Sequence, residues 1–226
     1  MKKLFALVAL CVATVSASAQ SEVGTFTLQP KIGFNVSFLT NAGKSYLVEP
    51  LGGKPMEGSR DVKLGFVAGV EGEYQITPMI SVAAGLLYSM QGTRWEDLES
   101  QTAYYRAMSK DRMVNLSYLN IPIVANFYVA KGFALKAGVQ AGFLWDSKGK
   151  ETIYDDLENR EVETSGDIEG IKKFDLSIPL GASYEFNNVV IDARYNLGLT
   201  KVCPGEENKS AKNSVVQVTV GYKFAL

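Results

Sequence analysis

The sequence predicts an all-β protein that forms an eight-stranded antiparallel up-and-down transmembrane β-barrel. Three observations lead to this fold: a strict period-two alternation of apolar and polar side chains, connections that alternate between short and long, and glycines and charges concentrated on the polar positions. Successive strand residues point to opposite faces, so each segment has one apolar and one polar face. The eight alternating segments are Phe26–Phe38, Val62–Ile76, Ile80–Met90, Leu119–Val129, Phe133–Trp145, Phe174–Phe186, Val189–Leu199 and Val216–Phe224.

The connections between these segments alternate in length along the whole chain. The short turns are Thr77-Pro78-Met79, Ala130-Lys131-Gly132 and Asn187-Asn188. The long loops run from Thr40 to Arg60, Trp95 to Arg112, Asp146 to Ile171 and Thr200 to Ser214. Outer-membrane barrels have tight periplasmic turns and longer external loops, so this pattern places both termini on the periplasmic side.

The turns also predict the strand register. A two-residue turn at Asn187-Asn188 sets Phe186 opposite Val189, Tyr184 opposite Ile191 and Leu180 opposite Tyr195, all apolar pairs. The turn around Lys131 likewise matches Phe127 with Leu135, Ile123 with Val139 and Leu119 with Phe143. Leu116 and Tyr118 break the parity of the fourth segment, which indicates a bulge or an exit from the membrane. Pro122 and Pro179 each remove a ladder hydrogen bond, and the sequence explains neither.

Orientation follows from the polar positions, because soluble ligand-binding barrels also alternate, with the apolar face inside. Glycines and long charged side chains suit a narrow lumen where eight strands converge, so we expect the polar face inside and the apolar face against lipid. We further predict that four cations pair with five carboxylates and plug the lumen. They are Lys31, Lys136, Lys173 and Arg194 with Glu71, Glu73, Asp175, Glu185 and Asp192.

The N-terminus has the pattern of a secretory signal peptide. Lys2 and Lys3 precede an apolar run, and Ala17-Ser18-Ala19 predicts cleavage after Ala19, giving a signal at 1–19 and a barrel domain at 20–226. Removal of both lysines leaves 21 basic and 24 acidic residues, a net charge of −3 that gives no sign of a nucleic-acid partner. Beyond the signal, no apolar run is long enough for a transmembrane helix. Cys203 would be the one remaining cysteine and is interpreted as an incidental loop residue.

No catalytic, cofactor-binding or metal-binding residue is predicted. The chain contains no histidine, which excludes Ser-His and Asp-His catalysis. Glu71 and Glu73 could do acid-base work, but a structural ion network is the preferred interpretation. The loop from Asp146 to Ile171 carries nine acids and three bases, yet lacks EF-hand spacing, so a solvated external loop is preferred over a calcium site. Aromatic residues near the rim, Trp95, Tyr104, Tyr105 and Trp145, are interpreted as interfacial anchors, with a partner contact as the alternative for the first three.

Several segments resemble a known family. The run Tyr118-Leu119-Asn120-Ile121-Pro122-Ile123 resembles the Y-L-x-I-P-hydrophobic signature of the PorT-type outer-membrane β-barrel proteins of Bacteroidetes. Leu135–Leu144, Asp175–Phe186 and Arg194–Thr200 are similar to later stretches of that family, although Asn120 stands where an acid is common. The resemblance implies a barrel in the outer membrane of a Gram-negative cell and a link of one member to protein secretion.

These observations together predict an outer-membrane protein, not an enzyme, that acts as a structural or interaction protein of the cell envelope. Its expected partners are outer-membrane lipid and an envelope protein contacted through the external loops. Three alternatives stay open: an accessory component of a secretion or assembly machine, a narrow solute channel, and a soluble barrel that binds a lipophilic ligand.

Overall fold

Strands make up nearly all of the regular structure. The computed structural model describes residues 22–41, 45–47, 56–101, 106–155, 160–202 and 211–226. The strands of this part are β1 (Phe26–Thr40), β2 (Ser45–Leu47), β3 (Met56–Gly58), β4 (Arg60–Asp61), β5 (Lys63–Thr77), β6 (Ile80–Trp95), β7 (Leu98–Gln101), β8 (Arg106–Ala130), β9 (Phe133–Asp155), β10 (Arg160–Asp167), β11 (Phe174–Phe186), β12 (Val189–Gly198), β13 (Lys212–Tyr222) and β14 (Phe224–Ala225).

Eight of these strands close into a ring in which every neighbouring pair is antiparallel. The order is β1, β5, β6, β8, β9, β11, β12 and β13, and β13 pairs with β1 to complete the circle. The short strands are additions to this ring: β14 extends the pairing of β1, β4 pairs with β6, and β2 pairs with β3. The predicted eight-stranded antiparallel barrel is confirmed.

The two faces of the ring have the predicted orientation. Phe34 and Leu135 expose 54% and 47% of their surface on the outside, whereas Glu71 and Arg194 each expose 2% and lie in the lumen. Large apolar side chains cover the outer face of every ring strand. In a bilayer these side chains meet hydrocarbon, and the closed ring leaves no ladder edge unpaired in the membrane.

The tight turns set the register as the sequence predicts. Asn187 and Asn188 both have positive φ angles, 48° and 66°, the backbone that a two-residue turn between twisted strands requires. Phe186 pairs with Val189 and Leu180 with Tyr195 across this turn. The turn at Lys131-Gly132 likewise gives the predicted pairs of β8 with β9.

Two irregularities of the barrel have identifiable positions. The β8–β9 register shifts between Ser117 and Tyr118, which confirms the bulge expected from the broken parity. The β9–β11 ladder is interrupted without a shift between Ser177 and Leu180, where Pro179 has no N–H to donate.

Two of the predicted external loops are wrong in extent. The described parts of the segments Trp95–Arg112 and Asp146–Ile171 are mostly strand, because β8 and β9 run on as strands of 25 and 23 residues and pair with β7 and β10. Side chains on β10 are exposed on both faces, so no apolar period two marks this strand in the sequence.

Some predictions fall outside the described residues. These are the signal peptide at 1–19, the aromatic residues Tyr104 and Tyr105, and Cys203. Within the ranges that the structure describes, no helix is long and apolar enough to cross a membrane.

Candidate functional site

The middle of the lumen is filled by a buried network of five charged side chains. Arg194 donates two hydrogen bonds to Glu71, both 2.7 Å, and two to Asp192, both 2.8 Å. Lys31 lies 2.6 Å from Glu71 and 3.6 Å from Asp192, and Lys136 donates to Asp192. Three cations therefore share two carboxylates across four strands of the ring, with all five side chains at most 4% exposed.

A second network lies at the periplasmic end of the lumen. Lys223 lies 3.1 Å from Glu73 and 2.8 Å from Glu185. The Glu73 carboxylate also accepts hydrogen bonds from Ser81, at 2.6 Å, and from the hydroxyl of Tyr128. One cation and two carboxylates meet here, so this network carries one negative charge and the central network one positive charge.

Apolar side chains gather at the external end of the lumen. Leu39, Leu116, Tyr118, Val202 and Ala211 form a buried cluster, each at most 3% exposed. Their positions lie at the outer end of β1, beside the bulge in the middle of β8, and on the connection from β12 to β13. The two ends of the lumen thus differ in chemistry, ionic on the periplasmic side and apolar on the external side.

The predicted lumen network is correct for seven of its nine members. Lys173 is exposed and lies before β11, outside the lumen, so its assignment is wrong. Asp175 is in the lumen but pairs with no described cation; its carboxylate accepts hydrogen bonds from Thr200 and from Asn213. Lys223, which the sequence reasoning missed, takes the place of Lys173.

Lys223 could have been found from the strand pattern. It continues the polar parity of Gln217, Thr219 and Gly221 on β13, and Lys31 is matched to Gly221 across the closing pair. The last predicted segment, Val216–Phe224, contained Lys223 on its polar side.

The two lumen glutamates do not form an acid-base pair. Glu71 belongs to the central network and Glu73 to the periplasmic one, and each carboxylate is held by its own cations. A general base needs a proton to accept from a substrate within hydrogen-bond reach. Both carboxylates are at most 5% exposed and fully engaged, so their observed arrangement is structural.

The barrel wall continues outside the lumen as a four-stranded sheet in the order β7, β8, β9 and β10. One row across this sheet joins Leu98, Ser109, Ile153 and Val162. Ion pairs cross it as well: Lys150 lies 2.9 Å from Glu163, and Lys110 lies 3.8 Å from Glu161. Part of the predicted acidic surplus of this region is therefore neutralised within the sheet.

The two tryptophans occupy different environments near the external rim. Trp145 is 78% exposed on the outer face of β9, as expected of an interfacial anchor. Trp95 is only 9% exposed, and the guanidinium of Arg112 lies 5.4 Å from its ring centre, so its predicted role as an anchor is wrong. Trp95 instead lines an open cleft of about 520 Å³ beside Val114, Gly149, Ile153, Gly166 and Ile168.

The described residues contain no group of three or more Asp, Glu, Cys or His side chains arranged to hold a metal ion. The carboxylates of the external sheet lie instead beside lysines and hydroxyls, as in the 2.6 Å hydrogen bond from Ser109 to Glu151.

Comparisons with known proteins agree with this architecture. A family model described as "Outer membrane protein beta-barrel domain" matches residues 18–203. Similar solved structures include the attachment invasion locus protein Ail of Yersinia pestis, with 17% identity, a TM-score of 0.40 and coverage of 89% of this chain and 100% of Ail. Neisserial surface protein A has 15% identity, a TM-score of 0.38 and coverage of 88% and 97%. The outer membrane protease OmpT of Escherichia coli has 11% identity, a TM-score of 0.32 and coverage of 93% and 100%.

A search of curated proteins finds no match to the chain. The family model nevertheless spans well over half of the sequence, and its description agrees with a closed ring whose outer face is apolar. The protein is therefore a component of the cell outer membrane. The chain belongs to the outer membrane protein beta-barrel domain family.

Proposed function

We propose that this protein is a closed outer-membrane barrel, not a channel or an enzyme, that presents its external sheet as an interaction surface of the cell envelope. The observation that carries the proposal is the continuation of β8 and β9 far beyond the sealed lumen. A transmembrane strand needs about 9 to 11 residues, so roughly half of each of these two strands stands outside the bilayer.

The filled lumen supports the part of the proposal that excludes transport. An eight-stranded barrel is just wide enough for its own side chains. Here the central network spans the lumen from Glu71 on β5 to Arg194 on β12, and an apolar cluster lies above it. A passing solute would have to separate buried ion pairs, which costs several kcal/mol for each uncompensated charge.

The external sheet supports the part that concerns interaction. Its edge strand β10 has seven exposed and one half-buried side chain, and no described strand pairs with its outer edge. An open sheet edge is a surface on which a partner chain can add a strand. The open cleft beside Trp95 gives the same sheet a concave face.

Planar-bilayer conductance of the purified protein tests the closed lumen. We expect no stable conductance from the wild type. The variant E71Q/R194Q is expected to leak, because it removes the pair of charge-assisted hydrogen bonds that spans the middle of the lumen. A large, stable conductance of the wild type would contradict the proposal.

Site-specific photo-crosslinking in whole cells tests the interaction surface. A crosslinker at Ser165 on β10 should give a defined adduct, whereas a matched crosslinker at Leu64, on the lipid face, should not. Lys150 and Ser165 lie opposite each other, so replacing 151–164 by Asn-Gly closes the shortened hairpin with a two-residue turn. In this trimmed variant the crosslinking residue replaces Lys150. The adduct seen with the crosslinker at Ser165 should be lost while the barrel still folds.

The proposal would fail if Ser165 and Leu64 gave the same adducts, or if trimming left the adduct unchanged. Heat-modifiable migration in electrophoresis provides the folding control for every variant.

We also propose two points that rest on the sequence alone. The motif from Tyr118 to Ile123 supports a PorT-type assignment within the family, and residues 1–19 act as a cleaved signal. N-terminal sequencing of the protein from outer membranes should begin at Gln20.

A further inference from the structure

Three lysines gather where the outer ends of β11, β12 and β13 meet. A row of backbone hydrogen bonds joins the segments: the N–H of Lys172 donates to the carbonyl of Val202, and the N–H of Val202 donates to the carbonyl of Ala211, both at 2.8 Å. Lys172, Lys201 and Lys212 are each within one residue of this row. They therefore share one sector of the external rim.

The alternation of side chains directs these lysines away from the lumen. Val202 and Ala211 are buried in the apolar cluster, and Ile171 packs against it. Their chain neighbours Lys201, Lys212 and Lys172 are exposed, half-buried and exposed, respectively. The basic side chains are thus on the outside of the barrel wall.

The lysines lie directly beyond the lipid-facing apolar surface. Lys172 comes two residues before Phe174, Lys201 two residues after Leu199, and Lys212 four residues before Val216. These three apolar side chains expose 45%, 41% and 43% of their surface to the lipid. Lysine stems can lie along such a surface while the ammonium groups reach the headgroups.

Trp145 marks the same level of the rim. It lies two residues beyond the lipid-facing Phe143, and the N–H of its neighbour Leu144 donates to the carbonyl of Lys173 at 2.7 Å. Tryptophan is enriched where hydrocarbon meets the headgroups. The three lysines are therefore at headgroup depth.

None of the three ammonium groups forms an ion pair with a residue in the described ranges. Six of the nine other lysines in the described ranges differ: Lys31, Lys136 and Lys223 are paired in the lumen, and Lys110, Lys148 and Lys150 are paired on the external side. Lys63, Lys131 and Lys173 share with the three rim lysines the lack of a described ion pair, but Lys63 is buried and Lys131 lies in a periplasmic turn. Three cations without an ion-pair partner among the described residues thus lie on one sector at the level of the headgroups, where clustered lysines attract anionic lipid.

We propose that Lys172, Lys201 and Lys212 bind the phosphate groups of a phosphorylated lipid in the outer leaflet. The lipid tails lie against Phe174, Leu199 and Val216, and the phosphates meet the ammonium groups above them. Each lysine near an anionic surface strengthens binding by about fivefold, so three together contribute a factor of about 100. This site lies on the barrel wall and does not depend on the proposed role of the external sheet.

Titration of the purified full chain in neutral detergent, read by native mass spectrometry, tests the proposal. The probes are diphosphoryl lipid A, the same lipid after removal of its phosphates, and inorganic phosphate. We expect K172Q/K201Q/K212Q to bind diphosphoryl lipid A about 100-fold more weakly than the wild type. The matched control K131Q/K148Q/K150Q loses the same charge elsewhere and should bind like the wild type.

The conservative variant K172R/K201R/K212R keeps the charges and should retain binding, which separates loss of the site from loss of the fold. In a Trp95→Phe background Trp145 is the one remaining tryptophan, and a nitroxide on the lipid headgroup should quench its fluorescence. Equal binding of the dephosphorylated lipid, or an unaltered K172Q/K201Q/K212Q variant, would overturn the proposal. Displacement of the lipid by inorganic phosphate at similar concentration would also overturn it, by showing a site for free anions.

Discussion

Removing the charge of Glu71 from the central lumen network should destabilise the barrel more than removing the charge of Arg194, the cation that donates two hydrogen bonds to it. In the wild type, Lys31, Lys136 and Arg194 share the carboxylates of Glu71 and Asp192, a charge of +1. Glu71→Gln raises this charge to +2 and leaves three cations around one carboxylate. Arg194→Gln lowers it to zero and leaves two cations with two carboxylates.

The expected changes in the free energy of unfolding follow from these net charges. An uncompensated buried charge costs about 3–5 kcal/mol, so E71Q should lower the free energy of unfolding by about that amount. R194Q loses four hydrogen bonds but leaves Glu71 with Lys31 and Asp192 with Lys136, so about 1–3 kcal/mol is expected. The double variant restores the charge of +1, and its loss should fall short of the sum by about 1–3 kcal/mol.

Urea unfolding of the protein in detergent micelles, followed by tryptophan fluorescence, measures these differences. Thr219→Val is the matched control, because Thr219 is 1% exposed, pairs with Asp192 in the ladder and has a hydroxyl without a described hydrogen-bond partner. It should change the free energy of unfolding by less than about 0.5 kcal/mol. The reasoning is refuted if R194Q costs as much as E71Q, or if the two losses add without coupling.

Three further variants test other parts of the structure. Gly85→Ala would place a Cβ 2.4 Å from the Cγ of Glu71 and should lower the folded fraction in heat-modifiable electrophoresis. The control Gly166→Ala, whose Cβ would have nothing within 4 Å, should fold normally. Equal folded fractions of the two variants would contradict the crowding at Gly85. Val139→Arg puts a charge into the middle of the lipid face and should lower the free energy of unfolding by about 2–4 kcal/mol. An unchanged urea midpoint would show that Val139 does not face lipid. Tyr128→Phe loses the hydrogen bonds of its hydroxyl with Glu73 and Lys223, so the free energy of unfolding should fall by about 1.5–3 kcal/mol in the same assay. A fall below about 0.5 kcal/mol would count against the periplasmic network.

The fold could be predicted because each barrel strand carries its own local signal. Phe34 and Lys31 differ in parity, and that difference alone assigns one to lipid and the other to the lumen. The turn at Asn187-Asn188 then converts parity into register, since a slip by one residue would exchange the two faces. The outer halves of β8 and β9 carry no such signal, because most of their described side chains are half-buried and do not alternate between an apolar and a polar face. The sequence therefore did not predict these parts of the two strands.

Lys173 and Lys223 show where parity stops being sufficient. Lys173 has the polar parity of Asp175, but the chain bends before β11 begins at Phe174, and the side chain is exposed. Lys223 follows β13 and still reaches Glu73 and Glu185 in the lumen. Parity holds only as long as the backbone stays extended, and where a strand ends depends on its neighbours in the ring.

The pairing of Glu71 with Arg194 required still more information than parity or strand ends supply. These residues are 123 positions apart, and two strands, β1 and β13, separate β5 from β12 in the ring. Their heights in the lumen depend on the stagger accumulated over every intervening pair, from Gln29 opposite Glu71 to Gln217 opposite Arg194. A sequence fixes the register of two strands only where a tight turn joins them. None of the three pairs in this row has one, because β1–β5 and β12–β13 are joined by long loops and β1–β13 is the closing pair. The composition of the network was therefore predictable, while the choice of partners depended on the closure of the ring.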